Sequence, residues 1–212
     1  MKRREFSLAA AGLAAALPLG VRAQMKPPED GRDYRTLDKR VPVEAPAGKV
    51  EVVDFFWYSC PHCNAFEPSL QDWTKRLAPD VSLRRIPAAF RDDMVPQQRL
   101  FYALEAMGKV DELHVKVFDA IHKERLPLVT LQPMAEWVAK QGLDAQKFTD
   151  LYNSFGISAK ARRATEIQNL YGLEGVPAMG VAGRYYTDGT LAGNHQHMLQ
   201  VVDYLVGESR KK

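Results

Sequence analysis

Apolar residues along this chain change their spacing several times, and each change marks a different kind of element. Residues 49–58 are nearly continuous in Val, Phe, Trp and Tyr, as a strand covered on both faces should be. Phe66, Leu70, Trp73 and Leu77 follow at spacings of four, three and four, which lines one face of a helix over 61–77. Ala78-Pro79-Asp80 stops that helix, residues 81–86 return to a strand pattern, and Pro87 ends it. This is a βαβ unit. Residues 34–37 read as a short edge strand ahead of it, followed by turns at Pro42 and Pro46-Ala47-Gly48.

From about Pro96 to Tyr171 the period is helical throughout. Leu100, Leu104 and Met107 form one stripe, and Leu113, Val117 and Ile121 another. Thr130 caps a third stretch with Met134, Trp137 and Val138, stopped by Gly142; Asp144 caps a fourth with Phe148, Leu151, Tyr152 and Phe155. The last runs through Arg162, Ile167 and Leu170 to Gly172. These stripes read as the core of a helical bundle rather than as a cofactor site. Strand signals return after Gly175-Val176-Pro177, over 178–182 and 184–187, with turns at Gly183 and Asp188-Gly189. Asn194 then caps a final helix carrying Met198, Val201, Val202 and Leu205.

Charge changes the picture at the N-terminus. Met1-Lys2-Arg3-Arg4 is a basic start, residues 6–19 are rich in Ala and Leu, and Val21-Arg22-Ala23 offers a small residue at a cleavage edge. Residues 1–23 therefore read as an export signal, cleaved near Ala23; Arg3-Arg4-Glu5-Phe6 leaves the general and twin-arginine routes both open. That segment holds the whole net charge of +3, and its removal leaves 25 basic and 25 acidic residues. A neutral mature chain has no electrostatic motive to bind nucleic acid or an anionic membrane surface. Export implies an oxidising compartment.

The chain has two cysteines, Cys60 and Cys63, in Ser-Cys-Pro-His-Cys between the apolar strand and its helix. Two thiols three apart at a helix start lie on one side of its first turn. Cys60 sits where unpaired N–H groups and the positive end of the helix dipole favour an anion. A thiolate is that anion, and a low thiol pKa is what disulfide exchange needs. Zinc would require two more ligands, which His195 and His197 would have to supply from a polar stretch that reads as solvated. A c-type haem needs His after the second Cys, and residue 64 is Asn. A structural disulfide across so short a loop adds little. Redox chemistry is the expectation, with no metal and no cofactor beyond the Cys60–Cys63 pair.

Roles follow from position. Cys60, nearest the helix start and expected to be exposed, is the attacking and accepting sulfur; Cys63, one turn further in and expected to be buried, resolves. His62 between them can stabilise a Cys60 thiolate, or stand solvated without contact. Pro61 lacks an N–H where the helix start would leave one unpaired. Asp54 is a charge inside an apolar strand, six residues before Cys60, and such a residue is rarely buried without a partner or a job. Arg85 is its candidate partner with Arg84 close behind; an exposed strand end is the alternative.

Asp54-Phe55-Phe56, Ser59-Cys60-Pro61-His62-Cys63, a helical insert and Gly175-Val176-Pro177 together resemble the DsbA family of periplasmic dithiol oxidases, over nearly the whole mature chain. The resemblance implies an α/β, thioredoxin-like fold with an inserted all-helical domain: 24–95 and 172–212 form the thioredoxin-like part and 96–171 the insertion. It implies a cis bond at Val176-Pro177 beside the cysteines, with the Val176 backbone pairing an extended substrate. It also implies proton shuttling by Asp54, where the family more often has the longer Glu. The family is itself the standing example of an oxidant whose reduced form is the stabilised one. Implied partners are newly exported or unfolded cysteine-containing proteins and a DsbB-type quinone-linked membrane oxidoreductase, with the protein a monomer in the periplasm. A disulfide isomerase or reductase is the alternative, though a DsbC-type isomerase carries a dimerisation domain ahead of this fold and few residues precede it here. A peptide-binding chaperone is a further alternative, against which the intact cysteine pair argues.

Overall fold

The structure is a computed structural model that describes residues 26–211. The export signal expected over 1–23 lies outside the described residues. A five-stranded sheet in the order β1-β5-β4-β2-β3 forms the centre. β2 (Val50–Phe56) runs parallel to β3 (Val81–Pro87), in a register that sets Asp54 opposite Arg85. On its other edge β2 pairs antiparallel with β4 (Ala178–Val181), which turns into β5 (Tyr185–Asp188). β1, only Arg35–Thr36, closes the edge against β5.

Alternation along β2 sends side chains to two apolar layers. Val52 packs with Phe66, Leu70 and Trp73 of α1 (Pro61–Thr74) and with Met198, Val201, Val202 and Leu205 of α7 (His195–Arg210). The Trp73 indole N–H donates to Asp203 at 2.8 Å and ties the two helices. Val53 and Phe55 face the opposite layer, built from α2 (Val95–Ala106), α3 (Val110–His122), α4 (Leu131–Lys140), α5 (Ala145–Asn153) and α6 (Phe155–Tyr171). Among the described residues, all five of these helices fall between β3 and β4 in chain order.

Three helix starts follow side-chain capping. Asp144 Oδ1 accepts from the N–H groups of Gln146 and Lys147, Asn194 Oδ1 from His197, and Ser154 Oγ from Ile157. Gly172 ends α6 at φ +62°, a left-handed turn that glycine adopts without strain. Gly180 on β4 lets the Tyr171 ring lie against the strand, where a Cβ would collide with it.

Two expected boundaries move, and two residues do not take the part expected of them. Thr130 stands at the start of α4 but makes no capping bond. α1 ends at Thr74 rather than 77, because the chain leaves the helix in tight turns from Arg76 to Trp73 and Leu77 to Thr74. Phe155 does not close the α5 stripe: extended backbone at Ser154 breaks the helix there. Phe155 instead opens α6, 80% exposed, with the Arg162 guanidinium over its ring. Leu170 is likewise outside the core.

Candidate active site

β2 ends at Phe56, and a four-residue turn delivers Cys60 to the start of α1. Cys60 is the N-cap residue and Pro61 occupies the first turn. The Cys63 N–H donates to Cys60 Sγ at 3.4 Å, so the sulfur does the work that Ser or Asp does at other helix starts. When protonated, Cys60 Sγ donates to the Val176 carbonyl at 3.4 Å; after ionisation the donors at the helix start remain. The Val176-Pro177 bond is cis.

Both cysteines are free thiols in this structure, and their environments push them apart. The Cys60 pKa is brought down to about 6, first by the Cys63 thiol as a donor, then by the backbone N–H groups of Cys63 and His62. The charge of His62 adds the smallest push, and burial opposes all of these. Cys63 moves the other way, well above an ordinary thiol, because burial penalises its thiolate and Cys60 already holds the negative charge. At neutral pH the reduced site therefore carries one thiolate, on Cys60.

The exposed Cys60 expected from sequence is corrected here: it is 7% accessible, against 2% for Cys63. The Val176 carbonyl accounts for this, since the 176–177 segment approaches the sulfur from a different part of the chain. A groove of about 780 Å³, lined in part by His62, Val176, Pro177 and His195, lies beside it. His62 is exposed at its edge. His195, read as solvated from sequence, instead forms part of the wall, with its ring 5.2 Å from that of Phe66. His197 faces Asp33 at 3.5 Å and does not approach the cysteines through any bond.

Asp54 lies beneath this surface at 1% exposure, which removes the strand-end alternative. Its partner is Arg85, with Nε at 3.9 Å from Oδ2; Arg84 turns away to Glu44 and Glu51. Neither carboxylate oxygen makes a hydrogen bond among the described residues. Burial raises the Asp54 pKa to about 7, Arg85 offsets part of the rise, and Glu67 adds to it. The Asp54 charge is also felt at Cys63, where it disfavours a thiolate.

Sequence reasoning missed two members of this layer. Glu67 stands one helical turn after Cys63 on the buried face of α1, reaching Arg85 Nη2 at 3.3 Å and His114 Nε2 at 3.5 Å. His114, buried in α3, meets the Tyr58 hydroxyl through Nδ1 at 2.9 Å. Burial depresses the His114 pKa and keeps Tyr58 a phenol. The tautomer that fits both neighbours has the Tyr58 O–H donating to Nδ1 and the Nε2 proton toward Glu67, 3.5 Å away and short of a hydrogen bond. The available signals were a charged residue at i+4 from Cys63 and a histidine next to Leu113 in the α3 stripe. No group of three or more metal-ligating side chains is gathered among the described residues, and none of their helices is long and apolar enough to cross a membrane.

A dithiol at a helix start, split into an acidic and a basic thiol beside a cis-proline, now has its relatives. The sequence profile of the DSBA-like thioredoxin domain matches residues 51–204. The chain belongs to that family. It is 40% identical over 203 residues to the thiol:disulfide interchange protein DsbA of Burkholderia cepacia, spanning 96% of this chain and 92% of the relative. With the protein of the same name from Azotobacter vinelandii it shares 43% over 195 residues, 91% of each. The crystal structure of Pseudomonas aeruginosa DsbA superposes with a TM-score of 0.81 at 41% identity, covering 85% of this chain and 94% of that one. The fold is the thioredoxin-like DsbA fold, and the chain is a thiol:disulfide oxidoreductase.

Proposed function

We propose that this protein oxidises pairs of thiols in newly exported proteins by donating the Cys60–Cys63 disulfide. A substrate thiolate attacks Cys60 Sγ, the Cys60–Cys63 bond breaks, and Cys63 leaves with the electron pair and takes up a proton. The substrate's second thiolate then attacks its own sulfur in the mixed disulfide and expels Cys60 as a thiolate. Substrate loses two electrons and two protons; the cysteine pair gains the electrons. The split between the two thiols carries this reading: a sulfur whose pKa is about 6 leaves readily, and its stability as thiolate draws electrons toward the protein. Because that poise favours oxidation, the oxidase reading is preferred to an isomerase or reductase, and an intact pair gives a chaperone role no support.

In this reading Asp54 supplies or takes the proton at Cys63, a task suited to a carboxyl whose pKa is about 7. His62 and Pro61 shape the helix start, and Val176 with Pro177 offers backbone to an extended substrate segment in the groove. The chain divides into a signal over 1–23, a thioredoxin-like part over 24–95 and 172–212, and a helical insertion over 96–171. The mature protein acts as a periplasmic monomer, needs no cofactor, and is reoxidised by a DsbB-type quinone-linked membrane partner. Equilibration with reduced and oxidised glutathione tests the direction. The reduced form should dominate at ratios where an ordinary protein dithiol is oxidised; a preference for the disulfide would make the protein a reductase.

A further inference from the structure

The turn that carries Cys60 is fixed by its own closing bond and by two side chains from the helical segment. Cys60 N–H closes it onto the Trp57 carbonyl at 3.0 Å. The peptide between Tyr58 and Ser59 is held at both ends from the helical segment. His122, the last residue of α3, donates from Nε2 to the Tyr58 carbonyl at 2.8 Å. Gln97, in the first turn of α2 and only 2% exposed, takes Ser59 with both ends of its amide. Its Oε1 accepts from the Ser59 N–H at 3.1 Å, and its Nε2 donates to Ser59 Oγ at 2.7 Å. The same Nε2 donates to the Leu128 carbonyl at 2.9 Å, in the connection between α3 and α4. The orientation of this amide is determined by its partners, since Ser59 N–H needs an oxygen and Leu128 C=O needs a nitrogen.

A buried side chain with all of its polar atoms spent on one turn and one loop is more than filler. Donors stabilise a developing anion only when they are already aimed at it, and the residue before Cys60 decides where its sulfur lies relative to the N–H groups of His62 and Cys63. We propose that Gln97 is a positioning residue for the exchange reaction: by bracing Ser59 it holds Cys60 Sγ in line with the donors at the start of α1, and it couples that alignment to the α3–α4 connection through Leu128. The helical segment, which contributes no group to the sulfur itself, sets the redox poise through this amide. The inference rests on Cys60 being the exchanging thiol.

The test uses the full mature protein with Gln97→Met, which keeps the length and removes the polar head, and Ser59→Ala, which removes the hydroxyl partner from the less buried side. Ultraviolet thiolate absorbance against pH gives the Cys60 midpoint, and glutathione equilibration gives the poise. Gln97→Met should raise the midpoint by about half a unit to one unit and shift the glutathione equilibrium about three- to tenfold toward the oxidised protein. Ser59→Ala should move both in the same direction by less. A purely structural amide would lower the denaturation midpoint of both redox forms equally and leave the thiolate midpoint where it was. An unmoved midpoint in both variants, or in Ser59→Ala alone if Gln97→Met does not fold, overturns the proposal. A parent protein whose own midpoint is that of a free thiol would instead overturn the exchange reading.

Discussion

The two sides of the cysteine pair are built from different materials. Above, at Cys60, the anion is favoured first by the Cys63 thiol and then by backbone N–H donors at a helix start, with a carbonyl from residue 176 against the sulfur. Below, at Cys63 and Asp54, the groups that act on charge are side chains in a dry layer, with Arg85 shared between Asp54 and Glu67 and His114 beyond. Donors at the helix start favour the anion at Cys60; the buried layer leaves Asp54 and Cys63 short of partners and favours their neutral forms, while His114 and Arg85 keep Glu67 charged. The result is one reactive thiolate and one thiol that resists ionisation, from identical residues three positions apart. Cysteine chemistry here is a property of depth more than of motif.

The sharpest way to break the comparison is to remove each sulfur. Cys60→Ser should abolish oxidation and trap almost no substrate, whereas Cys63→Ser should accumulate mixed disulfides, visible on non-reducing gels. Equal trapping would mean that the two sides are not distinct. Next in size is Asp54→Asn. A buried acid whose folded pKa rises from 3.8 to about 7 costs stability once the unfolded chain ionises, with the cost complete above the folded value. The variant should therefore gain roughly 2–4 kcal/mol at pH 7 over the parent, by denaturant unfolding, with the gap closing as pH falls toward 4. It should also exchange disulfides more slowly, and a gain in stability without that loss would leave Asp54 without a proton-transfer role.

A smaller effect sharpens the upper side. The folded Cys60 pKa of about 6 lies below the unfolded 9.0, so ionisation stabilises the reduced fold as pH rises from 6 to 9, and that stability is lost as pH falls through 6. Over this window the reduced form should gain on the oxidised form by up to about 1.4 kcal/mol per pH unit. Above it, the raised Cys63 pKa works in the opposite direction, because the unfolded chain then ionises a thiol that the fold does not. A constant gap between the redox forms across pH 5–9 would contradict the assigned Cys60 environment. Smallest is His62→Ala: its charge is the last of the causes acting on Cys60 and its N–H survives, so the thiolate midpoint should rise by only a few tenths of a unit.

Much of this was legible in the residues. Continuous apolar β2, the stripe of α1, the capping side chains of Asp144 and Asn194 and the turn before Pro177 each state their structure locally, and the cysteine spacing states the chemistry. Asp54 declared itself as a charge in an apolar run, and the parallel register of β2 and β3 made Arg85 its partner. What stayed hidden depends on contacts between distant segments. Glu67 and His114 look like ordinary surface residues of amphipathic helices until α3 packs on α1. Gln97 reads as a polar residue at a helix start, and nothing local shows that it meets Ser59. The enclosure of Cys60 was equally out of reach, because its cover lies far along the chain.

That last separation bears on how the protein is made. Cys60 and the Val176 carbonyl that lies over it are 116 residues apart, so they leave the ribosome at very different times. A chain cut short anywhere in the helical segment would display Cys-Pro-His-Cys while lacking Val176, Pro177 and the groove wall at His195. Such a fragment carries the two thiols without that cover. Only the finished polypeptide can become an agent that acts on other unfinished ones.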